Sequence, residues 1–311
     1  MIESSTGTKL AIVGAGSVGS TLAYAALIRG LARSVVLYDV NEAKVRAEAL
    51  DLRQGLQFVP AAHVEGSDDV QICAGADIIA VTAGAKQQPG QTRLDLAAST
   101  TSLMRTLMPQ LVTVAPAAII VMVTNPVDVI TYVAQQLTGL SPSRLFGSGT
   151  VLDSARLRGL IASRCGIAVQ NVHANIVGEH GDSEIPLWST ATAGTIPVTE
   201  LIDEAERAQM AHDVVHAAYE IIAGKGATNY AVGVSACRIL EAVLRDEHRV
   251  LPVSTRADGH HGIEDVCLSI PSVVGASGIE RQLHVPMTDE EITGLRASAD
   301  EIRSVARSLG F

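Results

Sequence analysis

The feature that most constrains the fold is a stretch without charged side chains that runs from Leu10 to Ile28. A hydropathy window would score such a stretch as a membrane span. Gly14, Gly16 and Gly19, however, interrupt it with the spacing GxGxxG, after one short apolar segment and before a longer one. We therefore predict a buried strand, a glycine turn and a buried helix, the opening unit of a doubly wound α/β sheet.

A second apolar segment, Val35–Tyr38, ends at Asp39, which lies about twenty residues past Gly19, near the offset of a ribose-binding acid. In this interpretation Gly14 permits the tight turn and Gly16 lets the backbone approach a pyrophosphate at the helix N-terminus. A carboxylate at Asp39 would accept from the ribose hydroxyls and repel a 2′-phosphate, so we predict NAD rather than NADP. The alternative is a glycine turn followed by a surface aspartate.

Strand-like and helix-like segments alternate through the first half of the chain and change character past about residue 150. The predicted strands of the first half are Lys9–Val13, Val35–Tyr38, Ile78–Val81 and Ala118–Val123, and its helices are Val18–Gly30, Glu42–Leu56, Leu94–Val114 and Val127–Leu137. The second half has predicted helices at Leu152–Arg164, Leu201–Ile222 and Ala227–Leu244, strands at Val172–Val177, Arg249–Ser254 and Val266–Ile270, and a capping box at Thr288.

This order predicts an α/β protein with a doubly wound parallel Rossmann sheet, followed by an α+β substrate domain. We predict an NAD-binding domain over residues 1–148 and a catalytic domain over residues 149–311.

Charge and cysteine content exclude several classes of protein. The formal net charge is −10, so the whole-molecule field attracts neither nucleic acid nor an anionic membrane. The beginning of the chain lacks the pattern of a signal peptide. No Cys-x-x-Cys pair occurs, which favours reduced thiols over a disulfide framework. We therefore predict a cytoplasmic protein without a nucleic-acid or membrane partner; its four cysteines are Cys73, Cys165, Cys237 and Cys267.

Candidate chemical groups follow several of the predicted strands. His180 lies in GEHGDS and can give or take one proton near neutral pH. Asp153 and Arg156 are three residues apart on a predicted helix and so share one face. Taken singly, these are also what a loop histidine and a solvent-exposed ion pair look like. The segment from Ala85 to Arg93 suits a mobile lid as well as a plain loop.

The histidines do not predict a metal site. His173 lies seven residues from His180, and the chain has no HExxH sequence. His260 and His261, near Glu264, are more typical of an exposed turn than of a ligand cluster. We predict that the protein holds no metal.

Seven segments, in family order, resemble the L-lactate/L-malate dehydrogenase superfamily over nearly the whole chain, and most closely its bacterial L-lactate branch. They are GAGSVGST, YDVNEAK, TAGAKQQPGQTRLDL, VTNPVDVITY, GSGTVLDSARLR, GEHGDSEIPLWS and KGATNYAVG. The resemblance implies reversible hydride transfer between NADH and pyruvate, with L-lactate and NAD as products, and a homotetramer.

The resemblance also implies roles for four ionisable residues. His180 would be the general acid–base, and Asp153 would hold its other ring nitrogen. Arg156 would clamp the substrate carboxylate with its planar fork, and Arg93 would polarise the substrate carbonyl. Asn125 and Thr228 would line the substrate. The family positions that contact the cofactor are Gly14, Gly16, Val18, Gly19, Asp39, Lys44, Gly84, Ala85, Val123, Asn125 and Ser148.

Gln87 occupies the family position that faces the C3 substituent of the substrate. Malate enzymes are expected to carry arginine there, to neutralise a second carboxylate. With a neutral Gln87, that carboxylate would be buried without a partner, which costs several kcal/mol. Pyruvate is therefore the expected substrate. A dehydrogenase for another L-2-hydroxyacid, such as 2-hydroxyisocaproate or malate, remains the alternative.

Arg158 and His173 occupy the two family positions that bind fructose 1,6-bisphosphate in activated bacterial lactate dehydrogenases. The resemblance implies that two copies of this pair meet across a twofold interface and that activation is stronger at mildly acidic pH, where histidine is charged. The alternative is that both are ordinary surface residues.

Two other classes of protein were weighed against the enzyme. A catalytically silent NAD-binding protein would be favoured by loss of His180, Asp153, Arg93 or Arg156, all of which are present. A short-chain dehydrogenase would need Tyr-x-x-x-Lys, and no tyrosine of the chain is followed by lysine at that spacing.

Overall fold

The computed structural model describes residues 7–85 and 93–311. Strands and helices alternate through the first half, as predicted. In chain order they are β1 (Lys9–Val13), α1 (Ser17–Ile28), β2 (Ser34–Tyr38), α2 (Glu42–Gln54), β3 (His63–Ser67), β4 (Ile78–Val81), α3 (Arg93–Val114), β5 (Ile119–Met122), α4 (Val127–Thr138) and β6 (Leu145–Gly147). The uncharged stretch at the beginning is therefore a strand, a glycine turn and a helix.

The second half mixes long helices with short antiparallel strands and one long hairpin. Its elements are α5 (Val151–Cys165), β7 (Val172–His173), β8 (Ile176–Val177), β9 (Ile185–Pro186), β10 (Thr192–Ala193), β11 (Ile196–Pro197), α6 (Val198–Leu201), α7 (Glu204–Lys225), α8 (Tyr230–Leu244), β12 (Arg249–His260), β13 (Ile263–Gly275), β14 (Gly278–Gln282) and α9 (Asp289–Ser308). None of the helices described in the structure is long and apolar enough to cross a membrane.

One nine-stranded sheet runs through both halves in the order β3-β2-β1-β4-β5-β6-β12-β13-β14. The six strands of the first half are parallel, and β12 joins them antiparallel to β6 by pairing Ser254 with Gly147. The strand order reverses between β1 and β4, which is where a doubly wound sheet binds its ligand. The sheet is thus continuous across position 148, and the domain boundary there stays a prediction.

The sheet is covered by helices on both faces, which explains why its parallel strands are apolar throughout. One buried cluster contains side chains of α1, α2 and α8, such as Leu22, Val45 and Leu240. The cluster on the other face contains side chains of α3, α4 and α9, and Met104 and Ile302 lie within it. Both faces are therefore closed, and the strand ends are where a ligand can approach.

The structure differs from the predicted elements where strands are short or local pairing is interrupted. The predicted strand Val172–Val177 is two strands, because Asn175 between them binds Arg158 through its side chain and Leu187 through its main chain. The apolar pattern missed β3, β6, β9, β10, β11, β14 and the short helix α6. The capping box of α9 is present, with Thr288 and Glu291 bonding each other's backbone N–H.

The expectation of an exposed turn at His260 and His261 is half wrong. The chain does turn there, between β12 and β13, but His260 is the last residue of β12 and is only 1% exposed. Its ring stacks on His284 at 4.9 Å between ring centroids. Burial lowers the pKa of His260 to about 4, and the neighbouring histidines add to this shift.

Candidate active site

The residues predicted to contact NAD gather at one edge of the sheet, beyond the carboxyl ends of its parallel strands. Strands β1, β2, β4, β5 and β6 all end at this edge, so the segments that follow them come together. These segments contain Gly14, Gly16, Asp39, Gly84, Ala85, Val123, Asn125 and Ser148, while Val18, Gly19 and Lys44 lie at the beginnings of α1 and α2.

A side chain would have a different effect at each of the three glycines of the first turn. Gly14 has a φ of +100°, and a Cβ there would lie 2.7 Å from the Ala83 nitrogen. A Cβ on Gly19 would lie 1.9 Å from the Gly14 carbonyl oxygen, so this glycine allows the helix to pack. A Cβ on Gly16 would meet no described atom within 4 Å. Gly16 thus faces open space, as a residue beside a bound pyrophosphate should.

The beginning of α1 fits an anionic group. Its N-cap is Gly16, so no side chain caps the first amides, and the first turn carries no acid. Asp39 lies beside this turn, because its Oδ2 accepts from the Ala15 N–H at 2.8 Å and its Oδ1 from the Asn41 N–H at 3.0 Å. The turn and the carboxylate therefore stand together, as an NAD pyrophosphate and its ribose require.

The glycine turn, the beginning of α1 and Asp39 together form what we call the cofactor cradle, and the remaining predicted cofactor positions extend it. The backbone N–H of Ser148 and that of Val123 each donate to a carbonyl oxygen of the neighbouring strand at 2.8 Å, so both residues extend the pairing of the sheet. Close packing explains Gly84, since a Cβ there would lie 2.6 Å from a methyl group of Thr124. Ala85 N–H contacts Thr100, and Lys44 is exposed on the first turn of α2.

His180, Asp153 and Arg156 form a connected group at the same edge. His180 Nδ1 lies 2.6 Å from Asp153 Oδ2, and Arg156 donates to Asp153 Oδ1 at 2.9 Å. Asp153 is 2% exposed, in the first turn of α5, where the helix dipole favours an anion. Three of the side chains that the family resemblance implies to be catalytic or substrate-binding therefore meet, although His180 is 27 residues from Asp153.

Charge pairing sets the protonation of this group. Burial opposes a charge on His180, but the charge and hydrogen bond of Asp153 outweigh burial and raise the pKa of His180 to about 9. Burial likewise opposes ionisation of Asp153, and His180 and Arg156 outweigh it and lower the pKa of Asp153. At neutral pH the pair is therefore an imidazolium beside a carboxylate, the form in which a histidine can donate a proton.

Two further carboxyl groups near His180 were missed by the sequence analysis. Asp128, in the first turn of α4, accepts from the His180 backbone N–H at 2.7 Å and is 2% exposed. A carboxylate oxygen of Glu184 lies within 4.8 Å of a carboxylate oxygen of Asp153 and of a ring nitrogen of His180. Burial first, and then the charge of Asp153, raise the pKa of Glu184 to about 9. Asp128 stands in the quoted segment VTNPVDVITY, at the beginning of the helix that follows β5, and this position was the available signal.

The other predicted substrate residues differ in what the structure describes. Thr228 precedes α8, and its Oγ1 is buried without a hydrogen-bond partner in residues 7–85 and 93–311. Asn125 is exposed in the segment between β5 and α4 and is joined to Pro126 by a cis peptide bond. Gln87 and the side chain of Arg93 lie outside the described residues.

The predicted allosteric pair lies away from His180, at the junction of α5 and β7. Arg158 donates to the Ala174 carbonyl oxygen at 2.7 Å and to Asn175 Oδ1 at 2.8 Å, which fixes it beside the exposed His173. Burial lowers the pKa of Arg158, and the positive charge of Arg249 adds to this shift. Arg158 thus lies near a second arginine as well as near His173.

Comparison with known proteins agrees with this geometry. Residues 8–147 match the NAD binding domain of lactate/malate dehydrogenase, and residues 150–308 match the alpha/beta C-terminal domain of the same family. The L-lactate dehydrogenase of Bifidobacterium animalis subsp. lactis (strain AD011) is 50% identical over 312 residues, which cover 98% of each chain. That of Nitratidesulfovibrio vulgaris (strain DP4) is 48% identical over 94% of this chain and 96% of its own.

Two solved structures are similar over almost their entire length. The minor L-lactate dehydrogenase of Enterococcus mundtii has a TM-score of 0.94 and 38% identity, over 97% of this chain and 98% of its own. A lactate dehydrogenase from a Medee basin deep-sea metagenome library has the same TM-score with 35% identity, over 98% and 99% of the two chains. This chain therefore belongs to the lactate/malate dehydrogenase family.

Proposed function

We propose that this protein is an NAD-dependent L-lactate dehydrogenase, which reduces pyruvate with NADH and oxidises L-lactate in the reverse direction. The observation that carries the proposal is the His180–Asp153–Arg156 group, arranged around the buried Asp153, at the carboxyl edge of an NAD-binding sheet. The names of the L-lactate dehydrogenases to which the chain is similar also support it.

The chain's own residues would handle the proton and the substrate carboxylate. When bound, the nicotinamide supplies or receives the hydride. His180, protonated on both nitrogens at neutral pH, would give its Nε2 proton to the carbonyl oxygen as that oxygen becomes an alkoxide. Asp153 would keep the ring oriented through Nδ1 and stabilise its charge. In lactate oxidation the neutral imidazole would take the proton back.

Two arginines would orient pyruvate and stabilise the developing charge. Arg156 uses one N–H on Asp153, and a guanidinium has five N–H donors, so a bidentate contact with a carboxylate fits its chemistry. Arg93 would polarise the carbonyl once the site is closed to water. Thr228, whose buried hydroxyl has no partner in the described part of the chain, and Asn125 would complete the substrate pocket.

Substrate choice is the part of the proposal that Gln87 decides. The direct test is NADH oxidation with pyruvate, oxaloacetate and 2-ketoisocaproate, measured as kcat/KM. We expect pyruvate to be preferred over both competitors. A preference for oxaloacetate would make the protein a malate dehydrogenase, and NADH binding without turnover of any of the three would favour the silent NAD-binding protein.

A charge exchange at Gln87 would sharpen this assignment. Gln87→Arg should move the ratio of kcat/KM from pyruvate toward oxaloacetate by about tenfold or more, because it supplies the missing counter-charge. Gln88→Arg is the matched control, since it adds the same charge one residue away. Equal effects of the two variants would mean that Gln87 does not face the substrate.

We also propose that fructose 1,6-bisphosphate activates the enzyme at Arg158 and His173. The exposure of His173 beside Arg158 supports the proposal, as does the proximity of Arg249. The bisphosphate should lower the KM for pyruvate, more strongly at pH 5.5 than at pH 7. His173→Gln should remove the effect, whereas His63→Gln, at an exposed histidine elsewhere, should keep it. An unchanged KM with added bisphosphate between pH 5 and 7 would contradict the proposal.

A homotetramer and a cytoplasmic location complete the proposed function. Exposed apolar side chains on adjacent helices support self-association: Tyr24 and Ile28 on α1, and Tyr230 and Val234 on α8, are between 46% and 70% exposed. All four cysteines are described and free, which is consistent with a reducing compartment. Sedimentation velocity would test the tetramer, and a monomer at micromolar concentration would contradict it.

A further inference from the structure

Three successive residues before and at the catalytic histidine are each anchored through their main chain to a different element. Gly178 exchanges two hydrogen bonds with the backbone of Ser269 on β13, at 3.1 and 2.8 Å. Glu179 N–H donates to Ser298 Oγ on α9 at 2.8 Å. His180 N–H donates to Asp128 Oδ2 on α4 at 2.7 Å. The position of the imidazole therefore depends on contacts from three directions.

The three anchors differ in charge. Ser269 contributes main-chain groups, Ser298 a fully buried hydroxyl and Asp128 a carboxylate. Asp128 is thus the one anchor that can ionise, and it is the one that holds His180 itself. It also comes from the first half of the chain, whereas Ser269 and Ser298 belong to the second.

We propose that Asp128 is a positioning residue for His180: it holds the backbone of the histidine, and its negative charge favours the protonated imidazole that gives its proton to the carbonyl oxygen of pyruvate. This inference rests on the proposed lactate dehydrogenase function. Asp153 contacts the ring directly, whereas Asp128 acts from the opposite end of the residue, through the amide and through space.

The buried surroundings of Asp128 oppose its negative charge, so its ionisation depends on pH in the mildly acidic range. The polar groups that face it are Glu179 and His180 in the loop, Ser254 on β12 and Cys267 on β13. Burial raises the pKa of Asp128 to about 6, although the N–H and the charge of His180 oppose the shift. Asp128 in turn adds to the effect of Asp153 in raising the pKa of His180.

A pair of variants separates the charge of the anchor from its hydrogen bond. Asp128→Asn keeps a side-chain oxygen that can accept from His180 N–H and removes the charge. Ser298→Ala removes the neutral anchor on the adjacent amide and changes no charge. We expect kcat/KM for pyruvate to fall at high pH with an apparent pKa that is lower by about 1 in Asp128→Asn and unchanged in Ser298→Ala. Both variants should lower kcat at neutral pH.

A second measurement does not depend on turnover. The imidazole of His180 can be followed by NMR in the substrate-free protein and assigned by its loss in His180→Asn. In the unsubstituted protein we expect its titration near pH 9 and a smaller inflection near pH 6 from Asp128. Asp128→Asn should remove the inflection near pH 6 and lower the upper pKa.

The outcomes distinguish this inference from the proposed function. A lower pKa of His180 in Asp128→Asn, without pyruvate reduction by the unsubstituted protein, would leave the positioning role standing and overturn the function. Pyruvate reduction with the same His180 pKa in all three proteins would overturn the role of Asp128. Equal shifts in both variants would also overturn it, since they would reflect a loss of geometry rather than of charge. If Asp128→Asn did not fold, the absence of any inflection at a pH below the main titration of His180 in the unsubstituted protein would overturn the inference by itself.

Discussion

The cofactor cradle and the proton-transfer group lie at one edge of the same sheet, but the first is built mainly from backbone groups and the second from charged side chains. The cradle is made of backbone: glycines, unpaired amides of α1 and one partly exposed aspartate. The proton-transfer group is made of charged side chains around the buried Asp153, which are held by each other and by three separate elements. Backbone sites bind a ligand that carries its own charge, whereas a site that moves a proton has to maintain charge in a place where burial opposes it.

The largest expected effect tests the side-chain region. His180→Asn should lower kcat for pyruvate reduction by about a thousandfold or more, because the imidazolium that gives the proton is lost, and should leave NADH binding intact. Stopped-flow or steady-state turnover and NADH fluorescence measure the two properties. His63→Asn is the control at an exposed histidine. Retained turnover would refute the role of His180.

The backbone region should respond differently at two glycines three residues apart. Gly19→Ala should lower the free energy of unfolding by about 3 kcal/mol or more, because its Cβ would lie 1.9 Å from the Gly14 carbonyl oxygen. Gly16→Val should leave stability nearly unchanged, since no described atom lies within 4 Å of that Cβ, and should weaken NADH binding about tenfold or more. Thermal unfolding and NADH titration check both. Equal loss of stability in the two variants would mean that Gly16 does not face the cofactor.

A smaller effect concerns the stability cost of Asp128. Its pKa is raised from 3.8 to about 6 in the folded protein, so the folded state loses stability relative to the unfolded state as pH rises from about 4 to 6. Asp128→Asn should therefore be more stable than the unsubstituted protein above pH 6, by up to about 3 kcal/mol, and about equally stable at pH 4. Denaturant unfolding at the two pH values is the measurement. A variant that is less stable at pH 8 would contradict the prediction.

Glu184 should show the smallest effect at neutral pH. Burial and Asp153 raise its pKa to about 9, so it is already protonated at pH 7 and resembles glutamine. We expect Glu184→Gln to change kcat/KM for pyruvate at pH 7 by about twofold or less, since no charge is removed. Asp153→Asn is the comparison, because it removes a carboxylate that is ionised, and it should lose most activity. A large loss in Glu184→Gln would show that Glu184 carries a charge in the working enzyme.

The difference between the two regions also explains what could be predicted from the sequence. The cradle is local: its glycines and Asp39 lie within one strand–helix–strand unit, and their spacing is enough to predict it. The resemblance to the family implied that His180, Asp153 and Arg156 belong to one site, and in the structure the three side chains are in contact. The anchors were missed: Asp128 lies in a quoted segment but 52 residues from His180, and Ser298 lies 119 residues from Glu179 in no quoted segment.

The same reasoning accounts for the errors in the predicted elements. Strand β6 has three residues, which is too few to give an alternating or apolar signal. His260 was expected in an exposed turn, yet it is the last residue of the long strand β12, and its ring packs against those of His261 and His284. Burial that depends on contacts distant in sequence was thus the property that composition could not supply.

The continuity of the sheet has a practical consequence for anyone who wishes to cut the protein in two. A fragment that ended near residue 148 would retain the whole cradle but would expose the far side of β6, which β12 covers in the complete chain. An uncovered strand of this kind offers unpaired N–H and C=O groups to any passing chain and promotes aggregation. An isolated nucleotide-binding fragment would therefore need a capping strand, or a proline or lysine introduced along that margin, before it could be handled in solution.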